Sequence, residues 1–117
     1  DMVDQGSVEQ VQHEELGKYL AGIIADKYIL IGKRTNKYTL PILKNKIGSN
    51  KVVSFLNTTD ALDYIKNNTV GNETILFKGS QYLEWVVEKM LANPGDKIKL
   101  VRQDEAAKKR RAKWGLK

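Results

Sequence analysis

Glu73-Thr-Ile-Leu-Phe-Lys-Gly-Ser-Gln81 reads as a strand that runs into a glycine-serine turn and then into a helix. In an open α/β sheet ligands dock at the carboxyl ends of the strands, where a following helix points unpaired backbone N–H groups at them. Lys78, Gly79 and Ser80 fall at that edge. Gly79 lets the backbone approach a ligand closely, Ser80 offers a helix cap or a donor to a carboxylate, and Lys78 supplies positive charge. The stretch is therefore an anion-site candidate, and its rival reading is a plain strand-to-helix connection.

Outward from this stretch the pattern alternates. Val8, Val11, Leu16, Leu20, Ile23 and Ile24 recur at helical spacing over Val8 to Ala25, with Ser7 and Gln10 in the positions of a capping box. Lys27-Tyr-Ile-Leu-Ile-Gly32 is a short apolar run closed by glycine, the pattern of a buried strand. A helix follows from about Lys37 to Ile47, its regular part starting near Pro41 and its end set by Gly48. Val52 to Phe55 reads as the next strand, and Thr58 or Thr59 as the cap of a helix running to about Asn67 with Ala61, Leu62, Tyr64 and Ile65 inward. Thr74 to Lys78 is the expected third strand. A helix from Gln81 to Ala92 then buries Leu83, Val86, Val87, Met90 and Leu91 and stops at Asn93-Pro94-Gly95. Such alternation implies a mainly parallel sheet with helices on both faces, a three-layer α/β/α domain. Asp1 to Gly6 reads as the loop after a strand with none before it, so the expectation is a domain cut at its first strand; a native three-stranded domain is the alternative.

Composition bounds the chemistry. The 117 residues fit one domain, expected over residues 1–102, with a basic helical tail over 103–117. Absence of cysteine excludes disulfides and thiolate chemistry, and one histidine, His13, argues against a histidine-built metal site. His13 is expected on the surface or lightly packed, and Trp85 packed or partly exposed. No apolar run reaches membrane-spanning length and no signal pattern opens the chain, which reads as cytoplasmic. Three Asn-x-Thr sequons, at Asn57, Asn67 and Asn72, are read as chance.

The net charge of +6 is local. Residues 1–93 carry 11 basic and 11 acidic side chains, whereas residues 94–117 carry 9 and 3. Attraction to polyanions would therefore come from Lys108, Lys109, Arg110, Arg111 and Lys113. No aromatic residue is interleaved among these cations and no nucleic-acid motif is present, so nucleic acid is the weaker reading; a non-catalytic interaction domain is another alternative.

Asp1-Met-Val-Asp-Gln-Gly6, His13-Glu-Glu-Leu-Gly17, Ile29-Leu-Ile-Gly32 and Thr74-Ile-Leu-Phe-Lys-Gly-Ser80 ahead of Val86-Val87 resemble, in order, the C-terminal domain of Mur ligases. The branch resembled is the one that adds D-alanyl-D-alanine to UDP-N-acetylmuramoyl-tripeptide. Ala92 to Gly95, Val101-Arg-Gln103 and Lys113-Trp-Gly115 are similar to a tail in some bacterial members. Asp4 and Gln5 depart from the family pattern, which has Glu and Leu there. The resemblance implies a Rossmann-like domain that closes over a central ATP-binding domain and helps hold the incoming amino acid or dipeptide opposite a UDP-muramoyl peptide. It implies substrate contacts from Asp1, Met2, Gly6, Lys78, Gly79 and Ser80, and no catalytic residue or metal ligand in this chain. ATP and Mg would belong to the full-length enzyme. The chain has no Gly-x-x-x-x-Gly-Lys-Ser/Thr loop, so ligase activity by this fragment alone is not expected.

Overall fold

In the computed structural model, residues 1–79 and 82–116 are described. The chain is mixed α/β and forms two compact units, Asp1–Ala61 and Leu62–Lys117. The first contains α1 (Glu9–Ala21), β1 (Tyr28–Ile31), α2 (Leu40–Ile47) and β2 (Val52–Phe55). Helix α3 (Thr58–Asn68) spans the boundary, and the second unit holds α4 (Leu83–Lys89) and α5 (Glu105–Ala112).

Strands β1 and β2 pair in parallel, Tyr28 opposite Val52 and Ile31 opposite Phe55, with α2 in the crossover between them. Parallel strands require such a crossover, because a tight hairpin reverses the chain. Tyr28, Leu30, Leu43 and Val52 form the buried cluster, and Leu20, Ala21, Ala25, Leu40 and Ile47 pack around it. At the carboxyl edge the strands are tied together. Gly32 N–H donates to the Phe55 carbonyl at 2.9 Å, and the Asn36 amide donates to the Gly32 and Phe55 carbonyls at 2.7 and 3.0 Å.

Helix α1 buries a different stripe from the one its aliphatic residues predict. Val8, Val11, Ile23 and Ile24 are exposed, whereas His13 and Gly17 are buried. His13, Gly17, Leu20 and Ala21 follow the i, i+4, i+7, i+8 spacing of one helix face. Glycine sets this choice. A Cβ at Gly17 would lie 2.9 Å from Ile42 Cβ and 3.0 Å from the Thr39 carbonyl, so only a hydrogen allows this approach. The Thr39 hydroxyl, itself fully buried, donates to the His13 carbonyl at 2.8 Å across the same contact. The expected capping box does not form: residues 6–8 make a 3-10 turn before α1, Val8 occupies the N-cap without a side-chain bond, and Gln10 donates to Glu14 instead.

Helix α2 is entered through a π-helical turn, Thr35–Thr39, in which the Leu40 N–H reaches back to the Thr35 carbonyl. The regular helix then starts beside Pro41, which lacks an N–H, as the sequence predicts. Its end is Gly48, at φ +89°. Helix α3 buries Ala61, Leu62 and Ile65. Its cap is Asn57, not a threonine: Asn57 Oδ1 accepts the Asp60 N–H at 2.9 Å.

The second unit differs most from expectation. Residues 74–78 join no ladder, and Leu76 is 87% exposed, so the expected third strand is not formed among the described residues. Thr-Ile-Leu-Phe has strand propensity, but a strand exists only where its backbone groups find a partner. Helix α4 is shorter than predicted, and Trp85 and Val86 are its buried residues. Asp104 caps α5 by accepting the Ala107 N–H at 2.9 Å. That helix carries Ala107 and Arg111 into buried positions. Arg111 pairs with Glu88 of α4 at 2.9 Å, and Lys97 pairs with the other Glu88 oxygen at 2.7 Å.

Burial pushes the Glu88 carboxyl upward, but the hydrogen bonds and charges of Lys97 and Arg111 outweigh it and hold the group below its ordinary range. A folded value below the unfolded one adds stability above the unfolded value and loses it as the pH falls through the folded value. Both tryptophans, Trp85 and Trp114, lie in this unit and report on it. Tryptophan-monitored denaturation should therefore show stability falling as the pH drops below about 4.3. Glu88→Gln should lower stability at neutral pH by about 1–3 kcal/mol and flatten that acid limb. In the first unit, Gly17→Val should cost about 2 kcal/mol, read by circular dichroism on chemical denaturation, because the new side chain must push Ile42 and the Thr39 backbone aside.

Candidate functional site

The carboxyl end of β1 is built around the Asp1 side chain. After Ile31 the chain turns at Gly32, whose φ of +126° favours glycine, and then enters helical backbone at Arg34. The free amides of that segment need acceptors. Asp1 supplies them: its Oδ1 accepts from the Thr35 N–H at 2.8 Å and the Thr35 hydroxyl at 3.0 Å, and its Oδ2 accepts from the Arg34 N–H at 3.1 Å. The Asp1 main-chain nitrogen donates to the Ile31 carbonyl at 3.2 Å. The carboxylate is 3% exposed. Gly32 leaves the room it occupies, since a Cβ there would fall 2.2 Å from Asp1 Oδ1.

Arg34 closes the arrangement. Its Nη1 lies 3.7 Å from Asp1 Oδ2, and its Nε donates to the Glu9 carboxylate at the start of α1. Lys33 beside it is exposed, whereas Arg34 is partly buried by these contacts. No local spacing signals this, because Glu9 and Asp1 lie 25 and 33 residues away.

The loop beyond Asp1 is fixed by the histidine. Met2 N–H donates to His13 Nε2 at 3.1 Å, and His13 Nδ1 donates to the Glu9 carbonyl at 2.7 Å. His13 is fully buried, with the Tyr38 ring 6.2 Å away, which corrects its expected place on or near the surface. Further along, Asp4 and Gly6 take positive φ values of 59° and 55° and are exposed. The loop is thus anchored at Asp1 and Met2 and turns outward after them.

Lys78 and Gly79 belong to the second unit; Ser80 lies outside the described residues. Lys78 is exposed. Gly79, at φ +145°, borders a cavity of about 250 Å³ lined also by Phe77, Leu83, Glu84, Val87, Val101 and Arg102. Its lining mixes apolar side chains with a charged pair, Arg102 Nη1 lying 3.5 Å from Glu84 Oε2. Each half of the predicted site therefore sits in its own unit: Asp1, Met2 and Gly6 in the first, Lys78 and Gly79 in the second.

The first-unit residues do not fit a nucleotide triphosphate. The amides of Arg34 and Thr35 that would face its phosphates already hold the Asp1 carboxylate, and a second anion there would meet that charge. In the basic C-terminal helix, Arg111 is buried against Glu88 and Lys108 is paired with Glu105, while Lys109, Arg110 and Lys113 remain exposed. Among the described residues, no helix is long and apolar enough to cross a membrane.

No protein-family model matches this chain, and neither a curated protein nor a solved structure is significantly similar to it. Gly32→Ala should displace the Asp1 carboxylate. Amide exchange at Arg34 and Thr35 should then accelerate by about tenfold or more, and Asp1→Ala should give the same pattern with a stability loss of about 1 kcal/mol.

Proposed function

We propose that this chain is the C-terminal, substrate-positioning domain of an ATP-dependent, amide-bond-forming ligase of the Mur type. In this reading the domain is a Rossmann-like three-layer α/β/α module of a cytoplasmic enzyme of peptidoglycan precursor synthesis. The observation that carries the reading is the docking of the Asp1–Gly6 loop at the carboxyl end of β1, through Gly32, Arg34 and Thr35. That edge is where α/β sheets present ligands. It is also where the resemblance puts a substrate loop. The parallel pairing of β1 and β2 around α2 supports it further.

In such an enzyme the central domain would hold ATP and Mg, which would supply the phosphoryl group that activates the carboxylate of the UDP-muramoyl peptide, with ADP as the leaving group. The incoming amine of an amino acid or D-alanyl-D-alanine would then displace that phosphate at the acyl carbon, forming the C–N bond and giving up a proton. This chain's residues contribute positioning, which raises the rate by holding the amine near its target. Asp1 acts through the backbone it fixes, and Met2 and Gly6 carry the loop toward the substrate. Lys78, exposed beside the cavity at Gly79, offers a charge-assisted hydrogen bond to the carboxylate of the incoming amino acid or dipeptide.

In the full-length enzyme, Lys78→Ala should raise the KM for the incoming amino acid or dipeptide by about tenfold while leaving the KM for ATP within about twofold. Steady-state kinetics with each substrate varied separately measure this split. Equal effects on both constants, or a full-length protein without ATP-dependent amide formation, would sink the reading.

A further inference from the structure

The one histidine of the chain is fully buried, and both its ring nitrogens are engaged. The Glu9 carbonyl, 2.7 Å from Nδ1, only accepts, so Nδ1 must carry a hydrogen. Met2 N–H, 3.1 Å from Nε2, only donates, so Nε2 must present its lone pair. The two partners together define one state: the neutral ring with hydrogen on Nδ1.

We propose that His13 is a positioning residue for the Asp1–Met2 loop and that it holds the loop only in this neutral Nδ1–H form. A proton added to Nε2 turns the acceptor into a donor that faces the Met2 N–H. Two donors then meet in a buried place, and the Met2 contact must open. The effect passes to the next residue in the chain, because Asp1 is joined to Met2 and its carboxylate holds the amides of Arg34 and Thr35. The His13 main chain is held in turn, its carbonyl accepting the Thr39 hydroxyl at 2.8 Å.

The titratable residues of the elements that meet at the ring are Glu9 and Glu14 of its own helix, Asp1 of the loop, and Arg34, Lys37 and Tyr38 of the segment after β1, of which the Tyr38 ring lies 6.2 Å away. Arg34 engages both Glu9 and Asp1, and Lys37 lies over the Tyr38 ring. Among the described residues no carboxylate hydrogen-bonds either ring nitrogen: the partners are a carbonyl and an amide. Gain of the second proton is therefore answered by loss of the Met2 contact. The consequence for substrate binding rests on the proposed role of the Asp1–Gly6 loop, but the latch itself does not.

The test is nuclear magnetic resonance on the 117-residue chain. Long-range ¹H–¹⁵N correlation should show His13 as the Nδ1–H tautomer. Across a series from about pH 8 to about pH 5, any change in the His13 ring shifts should be matched by the Met2 and Thr35 amide shifts. His13→Phe, which keeps a ring without an acceptor, should speed Met2 amide exchange by about tenfold. His13→Gln, whose side-chain oxygen accepts at all these pH values, should restore Met2 protection and remove its pH dependence. An Nε2–H tautomer, wild-type exchange at Met2 in His13→Phe, or a ring that gains its proton with no response at Met2 would overturn the proposal. These readouts need neither ligand nor activity, so they fail or succeed separately from the ligase reading.

Discussion

The first unit depends on one close approach, that of α1 to the segment entering α2 at Gly17. With no side chain at that point, the helices come near enough for Thr39 to reach the His13 carbonyl. This contact fixes the rotation of α1. It turns His13 inward, sets Leu20 and Ala21 against the cluster of Tyr28, Leu30, Leu43 and Val52, and leaves Val8 and Val11 outside. A buried polar ring is tolerable here because each of its nitrogens has a partner of the right kind. The helix thus gives up two aliphatic contacts and gains a specific polar join between α1, the loop before it and the segment after β1.

Electrostatics then organises what packing has brought close. At the carboxyl end of β1 the Asp1 carboxylate does what an N-cap side chain does, although it comes from far away in the sequence. In the second unit the same logic uses one acid and two bases: Glu88 collects Lys97 and Arg111 at 2.7 and 2.9 Å, joining α4, the 3-10 turn of residues 94–99 and α5. Arg111 is buried there, so part of the positive charge at the C-terminal end serves the fold and is withdrawn from solvent. A cation neutralised by a nearby acid contributes little to long-range attraction of polyanions.

Much of the secondary structure is legible in short windows. Tyr28-Ile-Leu-Ile31 and Val52 to Phe55 are mostly apolar and rich in β-branched or aromatic residues, and both form strands. Pro41 and Gly48 mark the start and end of α2 because their effects are confined to their own backbone. Of the candidate site, the loop at Asp1 and the turn at Gly79 are visible as places where chain direction must change. Less visible is what holds them. Arg34, Glu9 and His13 enter the site through partners between 11 and 33 residues distant, and no periodicity carries that information. Caps show the same limit on a smaller scale. Ser7 and Gln10 have the right spacing, yet a 3-10 turn starts earlier and the box has no helix end to close.

The sequence by itself determined the composition-level limits, the helical and apolar runs, and the breakers between them, because each depends on a residue and its immediate neighbours. Tertiary structure decided which runs became elements and which faces were buried. Thr74 to Lys78 has the residues of a strand and none of the pairing, since a ladder needs a second backbone. His13 and Gly17 form the buried stripe of α1, since the room for a side chain is set by Ile42 and Thr39 on another helix and not by the hydrophobicity of α1 itself.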